Sequence, residues 1–331
     1  MATTQAPQRV LVLGGTRWLG RRIAQAHLDR GAEVTCLARG LEGAPPAGAR
    51  HAVGDRDAAD AYAALAGDWD EIVDVTRLPQ HAQGALDALA DRAGHWTFVS
   101  SVSAQRLEGA PVGADEHDAL VPEDASGEEY GGAKAWIERV ARERLGERLA
   151  VVRPGLIGGP DDDTGRFGHW VARLALAGDE PVLVPARDQP TQTIDVRDLT
   201  TFLVEQAPRR SDVVNAVGEQ HRLHELIALA REVAGHSGEL VAASDVQLAT
   251  LDIGHWVGPR ALPLTLPAAL ASHGQRSNAH YRASGGTLRP LRETLRATLE
   301  SERTRGLDRA IPHRLSRADE LAAIDSLASL T

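Results

Sequence analysis

The chain has 331 residues, enough for two modest domains or one large α/β unit. Its 43% apolar and 25% charged residues exclude disorder over the whole length, and its 32 Gly and 17 Pro lack the three-residue period of a collagen. A formal charge of −10 without a dense Lys/Arg stretch argues against a nucleic-acid partner, and no run approaches the roughly 18 apolar residues of a membrane span.

The start, Met1 to Gln8, is polar and lacks the basic-then-apolar pattern of a signal peptide. Arg9 to Leu13 is an apolar run ending at Gly14-Gly15 and reads as a buried strand. Leu19, Ile23, Ala26, His27 and Arg30 follow at helical spacing, with Gly31 as the stop. Strands are predicted at 33–38, 70–75, 96–100 and 149–153, with a third strand just before Val53-Gly54-Asp55. Helices are predicted at 57–66, 80–93 and 128–146. Such alternation builds a doubly wound parallel sheet of the Rossmann type.

After Pro154 the pattern loosens. Residues 155–163 read as a loop and 166–178 as a helix. A helix is predicted at 194–206 after a short strand, a sheet strand at 213–217, and an amphipathic helix at 291–299. Residues 238–287 are loop-rich, with Pro259, Pro263 and Pro267. The predicted organisation is a first, doubly wound domain over 1–155, with returns near 193–218 and 288–300. A smaller α+β domain takes 156–192 and 219–287, and 301–331 is a charged tail with a surface helix near 318–330. The lone Cys36 can form no internal disulfide and points to the cytoplasm.

The turn Gly14-Gly15-Thr16-Arg17-Trp18-Leu19-Gly20, between a strand and a helix, has the context of a dinucleotide-binding turn. Glycines permit the tight path, and the helix N-terminus offers N–H groups to a pyrophosphate. An NAD site carries an Asp or Glu about 20 residues further on, bonded to the ribose 2′-hydroxyl. Here Ala38-Arg39 occupies that place. Arg39, with Arg17, suits a 2′-phosphate, which favours NADP(H) over NAD(H). Asp55 is placed to accept from the adenine amino group, or else is a turn aspartate.

The chain holds 35 Arg and one Lys, Lys134. A single Lys surviving among so many Arg suggests a task that needs a compact ammonium with an adjustable pKa. Tyr130-Gly-Gly-Ala-Lys134 puts a phenol and that ammonium on one helix face. A cation beside the phenol lowers its pKa from about 10 and fits it for acid–base work. Ser100, Ser101 and Ser103 end a predicted parallel strand, where side chains face the ligand crevice.

With these pieces in order, the sequence resembles the extended short-chain dehydrogenase/reductases, the superfamily of the NAD-dependent epimerase/dehydratases. The matching segments are Gly14 to Gly20, Val53-Gly54-Asp55, Phe98 to Ser103, Tyr130 to Lys134, Arg153-Pro154-Gly155 and Gln192 to Asp198. The start of the turn is similar to the G-G-T-R-x-x-G branch. The resemblance implies that Ser101 polarises the reacting oxygen, with Ser103 in reserve, that Tyr130 is the acid/base, and that Lys134 binds ribose and tunes Tyr130. It adds Thr16, Trp18, Leu19 and Pro154 to the cofactor contacts. It implies that the region after Pro154 builds the substrate pocket, and that the helices at 80–93 and 128–146 form a homodimer interface.

The expected activity is hydride transfer between NADP(H) and a carbonyl/alcohol carbon of a small polar metabolite. The rivals are a nucleotide-sugar epimerase or dehydratase with retained NAD, and a non-catalytic cofactor-sensing or RNA-associated protein on the same fold. Arg77, Arg166, His169, Trp170, Gln192, His255 and Trp256 fall where substrate contacts are expected, and Arg77 suits an anionic group. His221 and His224 with Glu225 read as a solvated helix face rather than a metal site, so no metal is expected.

Overall fold

The computed structural model describes residues 6–311 and 314–329. The predicted first strand is β1 (Arg9–Leu13), followed by α1 (Trp18–Asp29) and β2 (Glu33–Ala38). Gly31, at φ +81°, closes α1: its N–H returns to Leu28 O at 2.8 Å and that of Ala32 to His27 O at 3.1 Å. Then come β3 (Arg50–Val53), β4 (Trp69–Asp74), α2 (Pro79–Leu89), β5 (Ala93–Val99), α3 (Tyr130–Leu145) and β6 (Leu149–Pro154).

Seven strands form one parallel sheet once β10 (Val213–Ala216) joins its edge, in the order β3-β2-β1-β4-β5-β6-β10. The order reverses direction between β1 and β4, and a crevice for ligands opens at the carboxyl ends of strands on either side of such a reversal. The register brings Leu13 level with Leu37 and Asp74, so these strand ends stand side by side. Alternation in β1 feeds both faces of the sheet. Val10 and Val12 pack towards α1 and α5 (Val196–Glu205), and Leu11 and Leu13 towards α2 and α3.

The remaining chain builds a second layer on a separate core. It comprises β7 (Leu156–Gly158), α4 (Gly168–Ala177), β8 (Val182–Pro185), β9 (Pro190–Asp195), β11 (Gln220–Arg222), α6 (Leu223–Ala234), β12 (Leu240–Ala243) and α7 (Asp245–Thr250). After two-residue strands β13 (Gly254–His255) and β14 (Ala261–Leu262) come α8 (Ala279–Ala283), α9 (Leu291–Arg305) and α10 (Arg317–Ala328). The strand β9 lies between β7 and β11, and β12 pairs with β8. Asp195 ends β9 and caps α5, its Oδ1 accepting from Arg197 N–H at 2.8 Å. Among the described residues no helix is long and apolar enough to cross a membrane.

The fold departs from the sequence reading in five places. Residues 57–66 form successive i→i+3 turns rather than a helix, such as Ala61 N–H to Ala58 O at 3.2 Å. Tertiary packing overrides the alanine-rich propensity there. Ala61 and Leu65 are buried, and the Ala61 carbonyl lies so close over Gly54 that a Cβ on the glycine would sit 2.9 Å away. The expected loop after Pro154 contains β7, paired with β9. Helix α5 starts at Val196, leaving Ile194 in β9, and α9 continues past 299 to Arg305. The expected surface helix of the tail is α10, which is packed rather than solvated. Its Ala323, Ile324 and Leu327 join the second core, and its buried Glu320 accepts from Arg173 at 2.8 Å and from Arg317. Residues 1–5 of the polar start and 312, 313, 330 and 331 of the tail lie outside the described residues.

Candidate functional site

The glycine turn leaves β1 through Gly14, at φ +98°, a conformation open chiefly to glycine. A Cβ on Gly20 would lie 2.2 Å from the Gly14 carbonyl oxygen, so only glycine lets α1 begin this close to the strand end. No side chain caps α1. A cleft of about 530 Å³ opens in front of it. Gly14, Thr16, Arg17, Trp18, Leu19 and Gly20 line it together with Arg39, Asp55 and Arg77. Arg39 is exposed there and makes no ion pair among the described residues, whereas Arg17 lies 3.4 Å from Glu42 and 3.5 Å from Asp163. Asp55 also serves its own turn, accepting from Asp57 N–H at 3.2 Å.

A second cleft, of about 680 Å³, continues the first, for Trp18, Leu19, Val75 and Thr164 line both. Its walls carry Ser101, Ser103, Tyr130, Lys134, Pro154, Arg166, His255 and Trp256. The two glycines inside Tyr130-Gly-Gly-Ala-Lys134 explain how α3 reaches it. A Cβ on Gly131 would lie 2.2 Å from Ser103 O, so the first turn of α3 lies directly on the 102–104 turn. That contact brings Tyr130 beside Ser101, whose hydroxyl acts to lower the phenol pKa. Ser101 Oγ also accepts from Ser103 N–H at 3.1 Å. Ser100 is committed elsewhere and donates to Glu138 at 2.5 Å.

Lys134 is buried, and its Nζ donates to Thr76 O at 2.6 Å and Val99 O at 2.7 Å, both just past or at the ends of central strands. Burial pushes its pKa down to about 8, although Asp74 and Glu138 act to raise it. Glu138 is itself paired with buried Arg153 at 2.5 Å, so a charged pair stands behind the lysine. Tyr130 is 45% exposed but sits on a concave wall, where desolvation raises the phenol pKa above its ordinary value. Ser101, Arg166 and Arg77 act against that rise. At neutral pH the phenol therefore holds its proton.

Two expected substrate contacts are also corrected. Trp170 is fully buried and donates from Nε1 to Pro263 O at 3.1 Å, which makes it a core residue. Gln192 spends its amide on Gly218 O (3.0 Å), Arg276 O (2.8 Å) and Arg276 N–H (3.0 Å) behind the cleft. His169 is likewise buried and absent from the cleft wall, whereas His255 and Trp256 are on it. Near β11, His224 Nε2 lies 2.9 Å from Pro185 O, and Glu225 accepts from Arg222 N–H at 2.9 Å. Sequence reasoning missed Glu138, four residues beyond Lys134 on the same helix face, and it missed His273 and Thr164 on the cleft walls. The i, i+4 spacing could have revealed Glu138; nothing local marks the other two.

No protein-family model matches the sequence, and no curated protein matches it. Solved structures do. A candidate epimerase from Burkholderia cenocepacia J2315 matches with a TM-score of 0.70 and 22% identity, over 91% of this chain and 100% of that one. The UDP-glucose 4-epimerase of Thermotoga maritima, solved with UDP-glucose, gives 0.68 and 16% over 90% and 99%. That of Thermus thermophilus, solved with NAD, gives 0.66 and 19% over 89% and 99%. At these identities the likeness is one of fold: the chain has the Rossmann-type α/β fold of these epimerases.

Proposed function

We propose that the chain is an NAD(P)-dependent oxidoreductase of the extended short-chain dehydrogenase/reductase type, acting at a carbonyl/alcohol carbon of a small polar metabolite. The observation that carries the reading is the placing of Ser101, Tyr130 and Lys134 along a cleft continuous with the glycine-turn cleft. The first cleft fits a dinucleotide, because Gly20 lets α1 begin tight against the Gly14 turn and the uncapped start of α1 faces the cleft. Gly14, Thr16, Arg17, Trp18, Leu19, Gly20, Arg39 and Asp55 would hold that cofactor, with Pro154, Tyr130 and Lys134 at its reactive end. A bound nicotinamide supplies or takes up the hydride.

The chain's own residues then handle position and charge. Ser101, oriented by Ser103 N–H, donates to the substrate oxygen and polarises it. Tyr130, protonated at neutral pH by its surroundings, gives its proton to that oxygen on reduction. The Nζ of Lys134, fixed on two carbonyls, is held where the clefts join and positions a ribose hydroxyl. NADP(H) is the preferred cofactor, supported by exposed, unpaired Arg39 where a 2′-phosphate would lie. The proposed setting is the cytoplasm, with side-by-side α2 and α3 as the homodimer face.

A nucleotide-sugar epimerase with retained NAD is the second reading. It is favoured by the description of the solved neighbours as UDP-glucose 4-epimerases, and by Glu42, a carboxylate on the first cleft. The test is to assay the purified protein for retained nucleotide, then titrate it with NADPH and NADH by fluorescence. We expect exchangeable NADPH to bind more tightly. Tightly retained NAD would transfer the case to the epimerase, and binding of neither would end both readings.

A further inference from the structure

Among the described residues, the cleft in front of Tyr130 carries no acidic side chain on its walls, although the chain as a whole is acidic. The one guanidinium on those walls, among the described residues, is that of Arg166. Two contacts fix that side chain: Nε donates to Thr164 Oγ1 at 3.3 Å, and the guanidinium lies over the Trp256 ring, 5.3 Å from its centroid. The far edge, with both terminal nitrogens, makes no ion pair among the described residues. Buried arginines elsewhere in this chain do find carboxylates, as in Arg153–Glu138, Arg173–Glu320 and Arg276–Asp118. Of the acids nearest in sequence, Asp163 lies 3.5 Å from Arg17, and Asp162 Oδ1 accepts from Thr164 N–H (2.8 Å) and O–H (2.7 Å). The buried Asp162 Oδ2 has no hydrogen-bond partner among the described residues, and Arg166 acts on Asp162 through its charge without forming an ion pair with it.

We propose that Arg166 receives a carboxylate of the substrate, so that the substrate class is a short oxo or hydroxy acid whose carboxylate lies close to the carbon served by Tyr130. A planar fork held by its stem and its face, with its end open, is the shape that binds a carboxylate by two parallel hydrogen bonds. Its closeness to the reacting oxygen is supported by its action on the phenol, where Arg166 and Arg77 both favour the charged form. Arg77, exposed and without an ion pair among the described residues, adds positive potential at the junction of the clefts. The reaction at that carbon rests on the oxidoreductase reading; the carboxylate site does not.

The test is calorimetric titration of the full chain, with and without NADPH, using oxalate, its neutral diamide oxamide, and inorganic phosphate. Oxalate should bind one-to-one and oxamide should not. Arg166→Gln should weaken oxalate binding about ten-fold or more, and Arg166→Lys should fail to restore it, because a point charge lacks the fork. Arg39→Gln should leave oxalate binding unchanged, which separates this site from the proposed phosphate site. Equal oxalate affinity in wild type and Arg166→Gln, or phosphate binding tighter than oxalate, would overturn the proposal. Arg166-dependent oxalate binding in a protein that binds neither NADPH nor NADH would sink the oxidoreductase reading and leave the anion site standing. The reverse result would sink only the anion site.

Discussion

The two cores of the molecule support the site in different ways. In the parallel-sheet half, the ligand-facing groups sit at the carboxyl ends of strands buried on both faces, and much of the contact is backbone: the glycine turn and the carbonyls of Thr76 and Val99. In the second half, the cleft wall comes from loops and two-residue strands, and its groups are side chains such as Arg166, His255 and Trp256. The second half ties its irregular segments down with arginines. Arg187 donates to Leu266 O, Arg173 to Leu315 O at 2.6 Å, and Arg317 to Pro181 O at 2.9 Å. In the proposed function, strand ends place the chemistry and arginine-clamped loops the specificity.

The sharpest way to break this division is Tyr130→Phe. The hydroxyl sits on an open wall, so its loss should leave the fold intact while turnover falls about 10³-fold, within the range for one acid–base group. Near-normal turnover with an unchanged melting curve would place the proton transfer elsewhere.

Next in size are the buried charge pairs, one in each core. Glu138→Ala strands Arg153, and Glu320→Ala strands Arg173. Each should cost about 3–5 kcal/mol in denaturant unfolding, because one buried charge is left without its partner. Only the first should also change the activity remaining per folded molecule, since Glu138 receives Ser100 and acts on Lys134. If both variants, or neither, changed that activity, the division between a placing core and a holding core would fall.

A buried acid without a cation offers a pH test of the sheet core alone. Glu71 lies in β4 at zero exposure, bonded to Thr97 Oγ1 at 3.0 Å and 3.9 Å from His27. Burial pushes its pKa up to about 8, and pushes that of His27 down to about 4. For Glu71 the native state binds the proton more tightly than the unfolded chain. Its contribution is complete below about pH 4.5 and declines as the pH climbs towards 8. For His27 the sign is opposite: below about pH 6.5 the unfolded chain takes up a proton that the native state refuses until about pH 4, so stability falls with acid. Glu71→Gln keeps an acceptor for Thr97 and removes the first titration. It should raise stability by about 3 kcal/mol at pH 7, at 1.36 kcal/mol per unit, and flatten the decline above pH 6.5. Unfolding curves across pH 5–9 decide it, and a decline that survives the substitution would rule Glu71 out as its source.

What was legible in the sequence follows the same division. The parallel strands were readable because each is a short apolar run ending in turn residues, and the glycine turn and Tyr130–Lys134 because their spacing is itself the geometry. The short helix expected at 57–66 was not, since Ala61 packs over Gly54 at the strand end and the segment closes only i→i+3 turns. Trp170 and Gln192 were misplaced for a related reason: sequence position put them in the substrate region, but only the fold shows that Pro263 O and the Arg276 backbone consume their polar groups. The raised phenol was illegible too, because it follows from desolvation on a cleft wall that only the fold assembles.

The smallest effect belongs to cofactor choice, and it compares two arginines on one cleft. Arg17 is flanked by Glu42 and Asp163, so its charge is already partly answered and its reach is restrained. Arg39 has no such partner among the described residues and stands at the end of β2, where the ribose of a dinucleotide would rest. Arg39→Asp should therefore cut NADPH affinity about 10- to 100-fold, the size of one or two charge-assisted hydrogen bonds, and leave NADH affinity level or improved by bonding to the 2′-hydroxyl. Arg17→Gln should do less, because the guanidinium it removes was shared with two carboxylates. Parallel titrations of the two variants with both cofactors rank them. If Arg17→Gln erased the preference and Arg39→Asp did not, the phosphate would be read from the glycine turn itself, and the end of β2 would be only a surface.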